Sequence, residues 1–179
     1  STFNATHTVT VAAVADGAVV SGSASGNEDQ PIDLPITVSR IDTDGSESYD
    51  FAAVTVPSGA TLIMPGVLPS GITVLVTGTT YTFTPGAATT SAQFEAFLAT
   101  GLKIQAPTDG DVNFDVPVTV GTIERLLSGG EVTLLKKDVT AMVPVTVHPV
   151  IDAPSITGSS SVNEDGIVNT ADQSVTAPV

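Results

Sequence analysis

Asp42 and Asp44, followed by Gly45, are the residues whose types and spacing are best suited to chemistry. An Asp-x-Asp-Gly turn presents two carboxylates on one side of a tight loop, and calcium takes about six to eight oxygen ligands in a flexible geometry. Magnesium prefers fewer protein ligands and more water, and zinc would lack its usual Cys or paired His ligands in this chain, which has no cysteine. We call residues 42–45 the acidic turn, and it predicts a site for a hard cation of the calcium type.

The triplet Asn-Glu-Asp occurs twice, at 27–29 and at 163–165, each time behind a run rich in Ser and Gly. Residues 11–29 align without a gap with residues 147–165, at an offset of 147 − 11 = 136 residues, and 9 of the 19 aligned positions are identical. A period of this length is the size of a domain, so the sequence predicts a tandem array of globular repeats. The predicted parts are 1–15, the last strand and linker of a preceding repeat; 16–152, one complete repeat; and 153–179, the start of the next.

The composition indicates the elements that must position these acids. Trp and Cys are absent, while 16 Gly and 12 Pro punctuate a chain rich in Val and Thr, which favours short strands joined by turns. Alternating or apolar runs predict strands at 18–23, 32–41, 49–56, 60–64, 71–78, 80–85, 101–107, 112–120, 131–137 and 139–147. The predicted fold is therefore all-β, a β-sandwich with one short crossover helix.

The helix is predicted in "TTSAQFEAFLATG", where Phe94, Phe97 and Leu98 share one face. Thr90 and Gln93 have the spacing of a capping box, and Gly101 can end the helix. The run 51–94 contains no charged residue. We interpret it as a buried sheet with Thr and Ser at its exposed positions; the alternative is a binding surface or a face that a partner covers.

Strand directions predict that acids gather at one end of the repeat. If 18–23 runs away from Asp16 and 32–41 returns, the acidic turn lies again beside Asp16. The last strand, 139–147, would carry the chain to the opposite end.

At that opposite end, Asp152 would lie near Glu28 and Asp29. Clustered carboxylates repel one another unless a cation neutralises them, so calcium is predicted at both ends. The alternative is that these acids only solvate the ends of the repeat.

A further set of alternating polar residues lies in "TDGDVNFD" (108–115). It can be interpreted as a metal loop, with Asp109 as the best ligand. It can also be interpreted as the start of a strand. In that case Asp111, Asn113 and Asp115 face water, and Val112, Phe114 and Val116 face the core.

Charge and motifs exclude several classes of function. The chain has 19 acids and 5 bases, a net charge of −14, and it lacks the basic footprint that nucleic acid requires. No stretch approaches the roughly 18 apolar residues of a membrane span, so membrane insertion is not expected. Neither His7 nor His148 is expected to have a partner nucleophile or base, and the sequence shows no phosphate loop or Ser-His-Asp arrangement. The sequence therefore predicts a protein that is not an enzyme.

The linker "VIDAP" (150–154), the triplet "NED" and the acidic turn together resemble the tandem cadherin-like, Ig-like repeats of giant bacterial type I-secreted (RTX) adhesins, which read "V-N-D-A-P … E-D … D-x-D-G". The segment 101–120 is also similar to the closing part of such repeats. The resemblance covers nearly the whole repeat, although its motifs are short. The chain departs from the pattern at Ala15 and Ile151, where the family has Asn, and it has no Pro after Asp16.

The resemblance implies calcium at each junction between repeats. Because the chain departs from the family pattern at the linkers, we expect one calcium ion at each junction. It assigns ligands to three junctions: Asp16, Asp42 and Asp44 to the first; Glu28, Asp29 and Asp152 to the second; Glu164 and Asp165 to the third.

The function implied is that of a structural extender in a large cell-surface adhesin, secreted by type I secretion and supporting cell adhesion and biofilm formation. Its partners would be neighbouring repeats, with a host or surface ligand bound by other domains. The alternatives are a ligand-binding adhesin module, for glycan or protein, and a subunit of a surface filament or layer assembled by strand addition.

Overall fold

The structure is a computed structural model that describes residues 6–7, 13–108, 110–128 and 131–151. The chain divides into two compact units, Ser1–Pro149 and Val150–Val179. Of the second unit, the structure describes only Val150 and Ile151. Asp152, the predicted last residue of the repeat, lies outside the described residues.

The described part of the first unit is built from β-strands and one helix. In chain order these are β1 (Ala18–Gly22), β2 (Ala24–Asn27), β3 (Ile32–Asp33), β4 (Ile36–Arg40), β5 (Glu47–Thr55), β6 (Thr61–Ile63), β7 (Ile72–Thr77), β8 (Thr80–Pro85), α1 (Ser91–Thr100), β9 (Lys103–Gln105), β10 (Phe114–Ser128) and β11 (Glu131–His148).

The strands form a six-stranded sheet in the order β2-β11-β10-β5-β8-β7, together with two smaller sheets, β1-β4 and β3-β9-β6. Strand β2 runs parallel to β11, whereas the other paired strands are antiparallel. Buried side chains from the large sheet, the smaller sheets and the helix make one hydrophobic cluster, whose largest fully buried members include Phe83, Phe94, Leu34, Ile36, Leu98, Leu102 and Ile104. The prediction of an all-β sandwich with one short helix is confirmed.

Helix α1 begins and ends as its sequence predicts. The Thr90 hydroxyl accepts a hydrogen bond from the Gln93 N–H at 3.2 Å, and the Gln93 side chain accepts one from the Thr90 N–H at 2.9 Å. At the other end, the Gly101 N–H donates to the Phe97 carbonyl at 2.7 Å. Phe94, Phe97 and Leu98 are buried, so the face predicted from their spacing is the face that packs on the core.

The long strands differ from the prediction. The two runs predicted at 131–137 and 139–147 form the single strand β11, and β10 continues to Ser128, beyond the predicted end at 120. All of β10 pairs with β11, from Phe114↔Val145 to Ser128↔Glu131. Pairing between β10 and β11 therefore keeps both strands continuous where their hydrophobic pattern is interrupted.

Two shorter segments also differ. The predicted strand 32–41 is divided at Leu34-Pro35 into β3, which pairs with β9, and β4, which pairs with β1 in another sheet. Strand β2 was not predicted, since its Ser and Gly content has low strand propensity. It is held in place by four residue pairs with β11, from Ala24↔Val145 to Asn27↔His148.

The uncharged run 51–94 supplies β7, which lies at one edge of the six-stranded sheet. Leu75 and Val76 on this strand are 67% and 49% exposed, so the surface here is not limited to Thr and Ser as the interpretation expected. No helix in the part of the chain that the structure describes is long and apolar enough to cross a bilayer.

Candidate functional site

The chain enters the sandwich through Gly17, and two backbone contacts hold it there. The Gly17 carbonyl accepts a hydrogen bond from the Ile41 N–H at 3.1 Å, and the Gly17 N–H donates to Glu47 Oε1 at 3.0 Å. Strand β1 pairs antiparallel with β4 from Ala18↔Arg40 onward. The predicted return of the chain is thus confirmed, and Asp16 and the acidic turn lie at the same end, which we call the Gly17 end.

The acidic turn is ordered by its own carboxylates. Asp42 Oδ1 accepts a hydrogen bond from the Asp44 N–H at 2.8 Å, and Asp44 Oδ1 accepts from both the N–H and the hydroxyl of Ser46. Asp16 and Asp44 are exposed and Asp42 is partly exposed. Among the described residues, no three His, Cys, Asp or Glu side chains are grouped so as to hold a metal ion. A calcium ion shared by these three aspartates therefore stays a prediction.

Ser46 lowers the pKa of Asp44, first through its hydroxyl and then through its backbone N–H. Replacing Ser46 with alanine is expected to raise the pKa of Asp44 toward its ordinary value of 3.8, because the larger of these two contacts is lost. Because the pKa of Asp44 is lower in the folded chain than in the unfolded chain, the direction of its effect on stability is fixed. The contact stabilises the fold above the unfolded pKa, and this contribution is lost as the pH falls through the folded pKa.

An NMR titration of the Asp44 carboxyl carbon measures this change. Ser39→Ala is the matched control, since Ser39 is an exposed residue of β4 whose ladder partner is Val19. An unchanged pKa of Asp44 in Ser46→Ala would contradict the conclusion that the Ser46 hydroxyl lowers this pKa.

Two buried glutamates also lie at the Gly17 end, and sequence reasoning did not single them out as ligands. Glu47, the first residue of β5, is 2% exposed, and Glu124 of β10 is 7% exposed. Glu47 Oε1 accepts hydrogen bonds from the Gly17 N–H at 3.0 Å and from the Thr122 hydroxyl at 2.7 Å. The other oxygen of Glu47 and Oε2 of Glu124 are buried without a hydrogen-bond partner. We call Glu47 and Glu124 the carboxylate pair.

The ladder places these two side chains directly opposite each other. Glu47 and Glu124 are register partners of β5 and β10, and the neighbouring Arg125 N–H donates to the Ser46 carbonyl at 3.3 Å. The pair Ser46–Arg125 is therefore hydrogen-bonded, which makes Glu47–Glu124 a non-hydrogen-bonded pair, with Cα atoms roughly 4.5 Å apart and both side chains on one face. Two adjacent buried carboxylates repel each other and have lost their hydration.

Arg40 lies beside the carboxylate pair, but its guanidinium contacts other groups. Its Nη1 donates to the backbone carbonyl of Glu47, and its guanidinium lies over the ring of Tyr49, 5.9 Å from the centroid. Its Nε is buried without a partner. In the described part of the chain, the ion pairs are Lys103–Asp33 and Lys136–Asp50, both 2.6 Å, so no ion pair neutralises the carboxylate pair.

The opposite end of the sandwich contains the first Asn-Glu-Asp triplet. Asn27 is the ladder partner of His148, and the Glu28 N–H donates to the His148 carbonyl at 3.0 Å. Asp29 has a φ of 59°, a left-handed conformation that ends the strand in a turn. Glu28 is 6% exposed and Asp29 is exposed. The triplet thus attaches the end of β2 to the end of β11, at what we call the His148 end.

Three predicted ligands lie outside the described residues, namely Asp152, Glu164 and Asp165, and so does Asp109. The strand interpretation of 108–115 is confirmed in part. Val116 is buried and Asp111, Asn113 and Asp115 are exposed, but the expectation for Val112 was wrong, since it is 72% exposed. The ladder with β11 begins only at Phe114, so Val112 precedes the part of the strand that is packed.

A cleft of about 450 Å³ lies between the start of β5 and the start of α1. Its lining includes small and polar residues, the aromatic residues Tyr49 and Phe94, and the charged residues Asp50 and Arg125. Asp50 is already paired with Lys136. No protein family, curated protein or solved structure matches the chain, so no family assignment follows from comparison.

Proposed function

We propose that the chain is a structural extender repeat of a large bacterial cell-surface adhesin, stiffened by calcium at the junctions between repeats and supporting cell adhesion and biofilm formation. The observation that carries this proposal is the path of the chain through the sandwich. The chain enters at the Gly17 end, and β11 finishes at the His148 end, beside Asn27. From Ala18 to Asn27 the chain is nearly extended, which separates the two ends by roughly 30 Å.

Entry at one end and departure at the other suit an array. A repeat attached before Gly17 and a repeat attached after His148 would continue in the same direction, so each copy would add its length. The 136-residue offset between the two Asn-Glu-Asp triplets fits this spacing of whole sandwiches. A repeat that returned to the end where it began would add little reach.

The residues at the Gly17 end fit calcium better than any other common metal ion. Asp16, Asp42 and Asp44 offer carboxylate oxygens, and the chain has no cysteine that could supply a thiolate. Bound calcium would supply positive charge where the linker meets the repeat. Without such neutralisation, facing acids repel and the linker flexes. The roughly millimolar affinities of extracellular calcium modules would suit a secreted surface protein.

Calcium is expected to lengthen a tandem polypeptide in which residues 16–151 occur twice in succession. Small-angle X-ray scattering in about 1 mM calcium should give a larger maximum dimension than scattering in chelator, because the linker loses its bent conformations. The matched control carries Asp16→Asn, Asp42→Asn and Asp44→Asn in the second copy and should stay flexible in both conditions. Identical wild-type profiles with calcium and with chelator would contradict the proposal.

The alternatives have their own structural features. A ligand-binding module would use the cleft beside Tyr49, and binding on a glycan array would favour that function. A filament subunit would use β7, which is an edge strand among the described residues and carries the exposed Leu75, to accept another strand. Assembly of the isolated chain that increases with concentration would favour the filament.

A further inference from the structure

We infer that the carboxylate pair, Glu47 and Glu124, is a binding site for a divalent cation of the calcium type inside the repeat, next to Gly17. This site is separate from the predicted ligands Asp16, Asp42 and Asp44, and it does not depend on the chain being an adhesin extender. The inference comes from the burial and the hydrogen bonding of the two side chains.

The hydrogen bonds to Glu47 are strongly one-sided. Both of its donors, the Gly17 N–H and the Thr122 hydroxyl, converge on Oε1, and Oε2 receives none although it is buried. Oε2 of Glu124 is likewise buried and unpartnered. Buried polar atoms of native proteins nearly always have a partner, so two orphaned carboxylate oxygens from facing residues indicate a missing positive ligand.

The register brings the two carboxylates to the same place. As a non-hydrogen-bonded pair of an antiparallel ladder, Glu47 and Glu124 project side by side from one face. Their like charges repel at this separation, and a cation between them removes the repulsion and replaces the lost hydration.

The chemistry of the site selects a hard cation. Its donors are carboxylate oxygens with a threonine hydroxyl close by, and the chain offers no thiolate. Calcium accepts such oxygens in irregular geometry and completes its shell with water, whereas zinc prefers nitrogen and sulfur. Arg40 and Lys137 are basic residues nearby. The Arg40 guanidinium is held by the Glu47 carbonyl and by the Tyr49 ring, and Lys137, the ladder partner of Thr122, forms no ion pair with either glutamate in the described part of the chain.

Cation binding at this position would act on the linker. Glu47 holds the Gly17 N–H, so an ion on Glu47 fixes the carboxylate that anchors the first residues of the repeat. The same ion would join β5 to β10 at the place where their shared ladder ends.

Thermal melts of the complete 179-residue chain in calcium chloride and in EDTA test the site. Calcium is expected to raise the wild-type Tm by about 5 °C, since an ion that binds only the folded state stabilises it. Glu124→Gln is expected to lose this rise. In EDTA it should melt above the wild type, because it no longer places two like charges together. The control Asp42→Asn/Asp44→Asn leaves the carboxylate pair intact and should keep the calcium-dependent rise.

Terbium luminescence gives a second measurement that does not depend on stability. The chain has two tyrosines and no tryptophan. Tyr49 is two residues from Glu47 on β5, about 7 Å along the strand. Tyr81 lies opposite Val54, which is 54 − 47 = 7 residues from Glu47, so Tyr81 is roughly 20 Å away. Terbium emission excited through tyrosine is therefore expected in the wild type and in Tyr81→Phe, and calcium should displace it. It should be lost in Tyr49→Phe and in Glu124→Gln.

Three results would overturn the inference. The first is a wild-type chain whose Tm does not change with calcium and which gives no terbium emission. The second is a calcium effect that survives Glu124→Gln and disappears in the acidic-turn control. The third is a Glu124→Gln chain that melts below the wild type in EDTA, which would mean that Arg40 or another internal group already stabilises the pair. These measurements use one repeat, so their failure is distinct from failure of the tandem scattering experiment.

Discussion

Replacing Phe83 with alanine is expected to lower the free energy of unfolding by about 3–5 kcal/mol, among the largest effects of any single substitution in this sandwich. Phe83 is fully buried in β8, within the six-stranded sheet. Its ring contacts Phe97 of α1 edge-on, with centroids 5.1 Å apart. Truncation would remove the ring from the contact between sheet and helix and leave a cavity that the surrounding residues fill only in part.

Urea denaturation followed by far-UV circular dichroism measures this loss. Phe83→Leu keeps most of the apolar volume and should lose less, about 1–1.5 kcal/mol. Val67→Ala is the surface control, because Val67 is 86% exposed, and it should change stability by no more than about 0.5 kcal/mol. A Phe83→Ala chain as stable as the surface control would contradict the packing of α1 on this sheet.

The elements of the core were predictable because their patterns are local. Phe94, Phe97 and Leu98 recur at helical spacing behind a Thr90–Gln93 capping box, and all of these features are present in the structure. Val116, Val118 and Val120 alternate as a half-buried strand requires, and all three are fully buried. The hydrophobic periodicity and the helix cap depend on residues a few positions apart, so a single sequence is enough to predict them.

The carboxylate pair was harder to predict because its partners are distant in the chain. The alternation that buries Val120 also points Thr122 and Glu124 inward, so extending the pattern by two further steps would have found Glu124. That pattern does not say that Glu47, 77 residues earlier (124 − 47 = 77), stands opposite. The opposition follows from the register of β5 on β10 and from an irregularity in it between Gly121 and Thr122.

The repeated triplet has a more specific structural role than its acidity suggested. The sequence predicted Glu28 and Asp29 as metal ligands. The structure shows the Glu28 N–H bonded to the His148 carbonyl and Asp29 in a left-handed turn. If the chain is one unit of a tandem array, a segment that fastens the start of a unit to its last strand would be needed once in each unit. We therefore expect this backbone role, beside the predicted metal binding, to underlie the recurrence of Asn-Glu-Asp at the 136-residue offset.

Replacing Gly22 with alanine is expected to lower the free energy of unfolding by about 3 kcal/mol. Gly22 is the last residue of β1 and pairs with Ile36, and two residues later the chain pairs with β11 in the large sheet. Gly22 therefore lies where the chain passes from one sheet to the other. A Cβ atom there would lie 2.4 Å from the Pro35 carbonyl oxygen, a backbone atom that moves only if β4 moves.

Chemical denaturation of Gly22→Ala beside Gly66→Ala measures this effect, because a Cβ atom on Gly66 would meet nothing within 4 Å. The Gly66 variant should stay within about 0.5 kcal/mol of the wild type. Gly22 is also one of the positions that is identical in the two aligned segments, where its counterpart is Gly158. The close approach of the Pro35 carbonyl is a reason for glycine at position 22 that needs no ligand. Equal stability of the two variants would mean that β4 can move to accommodate the added methyl group. The passage of the chain from one sheet to the other would then not explain why position 22 is glycine.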